Sequence, residues 1–131
     1  MIITEPTNLI AAWVGHRIGC EFRPPYTAIG CLIDGRIVGA AVFNMWTKFD
    51  IECSVATSGR IPRELMKACR DYAEKQLGVT RITFRTKSDN VAAQNVLVGL
   101  GAHAEGIQHG YFGDVDGLLY GLILSESKFG R

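Results

Sequence analysis

The chain has 131 residues, 47% hydrophobic and 21% charged, and a formal net charge of +1. That length supports one core and one domain, expected over 1–131, and near-neutrality without like-charge runs excludes a nucleic-acid or anionic-membrane binder. No apolar run reaches the ~18 residues of a membrane-spanning helix, and no basic-then-apolar leader opens the chain.

Thr7-Asn8 predicts a cap for a short helix carrying Leu9, Ile10, Trp13 and Val14 and closing near Gly15 or Gly19. Arg23-Pro24-Pro25 then breaks regular structure. Residues from Thr27 to Ile33 read as a strand, Asp34-Gly35 as a two-residue hairpin turn, and Arg36 to Phe43 as its return. A third strand follows, with Ile51, Cys53 and Val55 on one side and Glu52, Ser54 and Ala56 on the other.

After the turn cluster Thr57 to Ile61, Pro62 suits the first turn of a helix, where its missing N–H costs nothing. Leu65, Met66, Cys69, Tyr72, Ala73 and Leu77 share one helical face; Arg63, Glu64, Lys67, Arg70, Asp71 and Lys75 fall mostly on the other, and Gly78 stops the helix. A strand that empties into a short loop at a helix start, flanked by Arg60 and Arg63, is a ready anion site. An ordinary strand-to-helix turn with surface arginines accounts for the same residues.

Thr80 to Thr86 reads as a strand again, and a strand–helix–strand crossover predicts that it runs parallel to the strand ending at Thr57. Ser88-Asp89-Asn90 predicts a cap for a second amphipathic helix with Ala92, Ala93, Val96, Leu97 and Leu100 inward, ended by Gly99 and Gly101. Two more strands are expected, His103 to Phe112 and Leu118 to Leu124, around the turn Gly113 to Gly117. The four cysteines, Cys20, Cys31, Cys53 and Cys69, lack paired or metal-ligand spacing, which predicts buried free thiols, no metal and a cytoplasmic chain. The expected class is α/β, a mixed and mostly antiparallel sheet with flanking helices.

This order of elements resembles the GNAT superfamily of acetyl-CoA-dependent N-acetyltransferases. Asn90, Ala93, Leu100 and Gly101 match the family's Asn-x-x-(Ser/Ala)-x-x-x-x-x-x-Leu-Gly stretch. Glu105-Gly106 is similar to the branch that modifies ribosomal proteins, and Tyr120-Gly121-Leu122 resembles the family's last strand. In length the chain also resembles small phage- and prophage-encoded members, which implies a bacterial or phage-infected host cell. Three positions depart from the pattern. The phosphate loop is short, with only Gly59 and then Arg60-Ile61-Pro62-Arg63; Leu97 stands where an acid tyrosine is common; Ala102 replaces the aromatic after Leu-Gly.

The resemblance implies a central parallel strand pair that splays, and acetyl-CoA as cosubstrate. Cys53, Val55 and Thr57 would lie along its pantetheine arm, with Arg60, Ile61, Pro62 and Arg63 at the pyrophosphate, and Asn90 and Asn95 at its edge. It also implies direct transfer to a primary amine, small or on a protein, with Glu52 as base through water; a solvated strand residue is the plainer account of Glu52. The proton for the departing thiolate is open among Tyr111, Tyr120, Ser88 and water. Asp114 and Asp116 are candidates for the amine, though turn chemistry explains them as well. A homodimer is compatible with the family. The rival reading is a non-catalytic GNAT-fold structural or interaction module that binds CoA weakly or not at all.

Overall fold

A computed structural model describes all residues, 1–131. Seven strands form one sheet in the order β1-β2-β3-β4-β5-β7-β6. They are β1 (Ile2–Ile3), β2 (Thr27–Ile33), β3 (Arg36–Asn44), β4 (Asp50–Thr57), β5 (Arg81–Lys87), β6 (His103–Gln108) and β7 (Gly117–Ile123). Every neighbouring pair is antiparallel except β4 and β5, which run parallel because α2 crosses between them. Asp34 (φ 52°) and Gly35 (φ 76°) both take left-handed backbone, the pair of angles that a two-residue hairpin with twisted strands requires.

Three helices flank the sheet: α1 (Thr7–Ile18), α2 (Arg63–Asp71) and α3 (Val91–Leu100). α1 packs alone on one face, where Ile10, Ala11 and Val14 meet Ala28, Ala40, Val42 and Ala56. α2 and α3 share the other face, where Leu65, Cys69, Ala73 and Leu97 cover Ile29, Phe43, Cys53, Ile82 and Phe84. Burying a Leu, Ile or Phe of this kind contributes about 1.5–3 kcal/mol each. No helix is long and apolar enough to cross a membrane.

Several details differ from expectation. Pro6, not Thr7, precedes the first helical residue, and Thr7 Oγ1 turns back to donate to the Thr4 carbonyl at 3.2 Å. α1 does stop at Gly19 (φ 75°), the second of its two expected ends, where the N–H groups of Gly19 and Cys20 bond the Gly15 carbonyl. Pro62 lies one place before α2; its extended backbone (ψ 134°) aims its carbonyl at the N–H groups of Leu65 (3.0 Å) and Met66 (3.2 Å). α2 then continues as a π-helical segment, Tyr72–Leu77, before Gly78 ends it. Gly99 sits inside α3 and only Gly101 terminates it; Ala92 and Val96 face solvent, because Leu97 carries the one fully inward contact. β6 ends at Gln108 rather than Phe112, where the Tyr111 N–H closes a turn onto the Gln108 carbonyl.

Arg70 is the largest departure: helical phase puts it outward, yet it is 8% exposed. Its guanidinium donates to the carbonyls of Leu124 and Phe129 (both 2.7 Å), to Ser127 Oγ (3.0 Å) and to Glu74 Oε2 (3.3 Å). The chain's last residues are thereby tied down on α2, with Phe129 seated edge-on against Phe84 at 5.9 Å.

Candidate active site

β4 and β5 pair over only four residues each, Asp50–Cys53 against Arg81–Phe84. Beyond that point β4 keeps β3 and β5 keeps β7, so the strands part and Ser54–Thr57 present an unpaired edge to the opening. The parting follows from what each strand packs against next. Thr57 leads into a loop that delivers α2 above the sheet, and Gly39 on β3 makes room for that arrival. A Cβ there would lie 3.1 Å from Leu65, 3.2 Å from Pro62 and 3.3 Å from Thr57.

At the head of the opening, α2 begins without a side-chain cap. The N–H groups of Arg63 and Glu64 precede the first intrahelical bonds and have no carbonyl to meet, which leaves a partial positive charge for an anion. Arg60 and Arg63 are exposed beside it. Ile61 and Pro62 are half-buried, and Thr57 Oγ1 donates to the Gly59 carbonyl at 2.7 Å, shaping the loop. Cys53 lies 1% exposed in the core, where burial and then the neighbouring Cys69 push its thiol well above the ordinary range. It can offer a ligand its backbone only. Val55 half-packs on the same core.

Glu52 points to the opposite face, the one α1 covers in part. Its Oε1 accepts an ion-paired hydrogen bond from Arg85 Nη1, with both side chains less than a fifth exposed. Oε2 makes no hydrogen bond. Arg85 also donates to Gln108 Oε1 at 2.7 Å and lies 4.4 Å from the centre of the Tyr111 ring. Sequence reading missed Arg85, Gln108 and the position of Tyr111. The alternation Arg81, Thr83, Arg85 carried the signal for Arg85, since it shares a phase with Glu52 across the parallel pair. Of the open acid candidates, Tyr111 alone stands on the face of Glu52 beside Arg85. Tyr120 is 5% exposed in the opposite core, and Ser88 opens the turn before α3.

Asn90 caps α3 by accepting from the Ala93 N–H at 3.1 Å, and Asn95 is exposed on that helix. Asp116 is committed to its own turn. Its Oδ1 accepts from the Gly110 N–H (2.8 Å) and its Oδ2 meets His109 Nδ1 (3.1 Å), and these two contacts hold its carboxyl below the usual value. Asp114 is exposed and makes no hydrogen bond. Two side-chain atoms in the molecule are buried without a partner, Asn44 Oδ1 and Thr86 Oγ1. Thr86 lies on the parted end of β5, and Asn44 lies across from Glu52 on β3, beside the stretch where β4 and β5 are still paired.

The comparisons agree with this geometry. Residues 4–101 match the family model described as the acetyltransferase (GNAT) family. No curated protein matches the chain. Among solved structures, the ribosomal-protein-S18-alanine N-acetyltransferase from Escherichia coli superposes with a TM-score of 0.72 at 18% identity, covering 95% of this chain and 93% of its own. The Salmonella typhimurium acetyltransferase yncA, solved with its cofactor acetyl-CoA, gives 0.71 at 17% identity, with 100% and 97% covered. An acetyltransferase from T. thermophilus gives 0.67 at 18% identity over 79% of this chain, which spans only 62% of that relative. A mixed sheet with one splayed parallel pair, an uncapped helix at its head and a family match over residues 4–101 lead to one conclusion: the chain belongs to the GNAT acetyltransferase family.

Proposed function

We propose that residues 1–131 act as one N-acetyltransferase domain that moves the acetyl group of acetyl-CoA to a primary amine by direct attack. The observation that carries this reading is the unpaired edge of Ser54–Thr57, which ends at the uncapped start of α2. An extended amide chain can add to such an edge as a strand would, and a diphosphate suits the helix start. The backbone of Cys53, Val55 and Thr57 then lines the pantetheine arm. Ile61 and Pro62 shape the loop, Arg60 and Arg63 add charge-assisted contacts, and Asn90 and Asn95 border the cofactor from α3. Thr86, with a buried hydroxyl lacking any protein partner, has a donor or acceptor to offer the same arm.

Acetyl-CoA supplies an activated thioester carbonyl. An alkylammonium, with a pKa near ~10, must first lose a proton, and Glu52 takes it on the free Oε2, directly or through water. Arg85 fixes the carboxylate by its other oxygen and keeps it from turning away. Tyr111 is the candidate donor to the departing thiolate. Exposed Asp114 draws cationic acceptors toward this side by a weak, screened attraction, with Asp116 holding the turn that presents it. The Escherichia coli neighbour is a ribosomal-protein-S18-alanine N-acetyltransferase, and an amine carried on a protein fits this site as well.

The Glu52–Arg85 pair favours a second reading, a non-catalytic module in which the carboxylate only braces the sheet. One measurement separates the two. Acetyl-CoA at ~100 times its dissociation constant should stabilise the protein by about 2.7 kcal/mol, a melting shift of several degrees. Replacing Arg60 and Arg63 by Ala should shrink that shift. No shift at millimolar acetyl-CoA rejects cofactor binding and leaves the module.

A further inference from the structure

The geometry points to Asn44 as the residue that holds the acceptor amine and selects nitrogen over oxygen, an inference that rests on Glu52 as base. Asn44 is the last residue of β3 and pairs in register with Glu52 on β4. Residues opposite each other in an antiparallel pair point to the same face with Cβ atoms about 5 Å apart. Two acceptor oxygens therefore stand side by side without a donor: Glu52 Oε2, whose partner oxygen is taken by Arg85, and Asn44 Oδ1, which is buried and unpaired. Arg85, the cation paired with Glu52, is already committed to Glu52 and Gln108. A buried acceptor left unpaired costs about 1–3 kcal/mol, so its survival asks for a donor from outside the chain.

An alkylammonium carries three N–H donors and no acceptor. One proton passes to Glu52. The lone pair this frees points at Glu52, so the amine must turn before it attacks; one remaining N–H, held by Asn44 Oδ1, is the pivot about which it turns toward the thioester carbonyl. A hydroxyl has one proton to give, so it cannot satisfy Glu52 and Asn44 together. Space for the rest of the acceptor lies on this same face. A groove of about 910 Å³ runs between α1 and the loop after it, lined by Gly19, Cys20, Phe22, Arg23 and Tyr26. Thr27 pairs with Phe43, so Tyr26, the residue before it, falls beside Asn44. The end of α1 lies within reach of β5: a Cβ on Gly19 would sit 3.6 Å from Lys87 Nζ. Tyr26 is thus the link between the groove and the Asn44–Glu52 pair on β3 and β4.

The test is calorimetric titration of the intact protein, with CoA at millimolar concentration, using n-butylammonium and an alanyl tripeptide amide as probes. Asn44→Leu removes the oxygen at similar volume. It should weaken binding of whichever probe the wild type takes by about tenfold, with CoA affinity unchanged and the melting temperature level or higher. Asn44→Asp retains an acceptor oxygen and should keep the affinity at or above wild type. Unchanged probe affinity in Asn44→Leu, equal loss in Asn44→Asp, a lowered melting temperature with parallel loss of CoA, or no probe binding to wild type each overturns the inference. Glu52→Gln is run alongside for turnover. A fall of about 10²-fold supports the base, and full turnover rejects it while the Asn44 titration still stands on its own.

Discussion

At the scale of single residues, charge pairs on the uncovered face of β5 to β7 explain two motif positions. Glu105 reaches across β7 to Arg81, with Oε1 accepting from Nη2 at 2.7 Å, while Asp50 Oδ1 accepts from Arg81 Nε (3.0 Å) and Thr83 Oγ1 (2.7 Å). Gly121 lies beneath that bridge. A Cβ there would collide with the Glu105 carboxylate and stand 2.7 Å from Arg81 Nη2, so the glycine of Tyr120-Gly121-Leu122 and the Glu105 motif are one device. The Arg81 hydrogen bond holds the Glu105 carboxyl below its ordinary value of 4.5. A depressed folded-state value stabilises above the unfolded one and is lost as pH falls through it. Glu105→Gln should therefore lower the melting point at pH 6–7 by an amount worth under about 1 kcal/mol, discounted because the carboxylate is 40% exposed. Once the pH has fallen below that depressed value, the two proteins should melt together. Glu52 was legible in the sequence from its phase against Ile51 and Cys53. Asn44 was not, because its place beside Glu52 depends on where the β3–β4 turn closes, and alternation alone does not give register.

Among whole elements, sequence patterns read best where a segment's partner is local. The Asp34-Gly35 hairpin and the cap at Asn90 follow from contacts within a few residues, the crossover through α2 follows from the order strand, helix, strand, and all three formed. Elements whose role is set from far away were misjudged. β1 is two residues long and exists because Ile2 and Ile3 reach Cys31 and Gly30. Arg70 falls on the solvent side by helical phase, yet the chain's end returns over α2 and buries it. Arg70→Met retains the apolar stem but leaves the Phe129 carbonyl without a donor and Leu124 with only the longer bonds from Ser127. It should cost about 3 kcal/mol, read as a melting point lower by roughly 10 °C. A shift under about 2 °C would show that the last residues contribute little to holding α2.

For the molecule as a whole, helices divide the sheet unevenly. α2 and α3 cover one face, whereas α1 covers only β2 to β4 on the other. The bare half is where the ion pairs, Gln108 and Tyr111 lie; under the proposed function, the face that meets the acceptor would have room for a large one, while the cofactor's face would be crowded by helices. Such a division suits a donor that is always the same molecule and an acceptor that can be part of a protein.

The four-residue seam between β4 and β5 has a consequence for how fast the backbone trades its protons with water. Along Ser54–Thr57, successive amides point alternately toward β3 and toward the gap. Deuterium should enter the gap-facing ones within the dead time and the β3-facing ones orders of magnitude later, a period-two pattern that stops at Cys53. Adding acetyl-CoA should slow only the fast set. If all four amides exchange alike, the seam opens and closes as a unit, and the sheet behaves in solution as two leaves on a hinge.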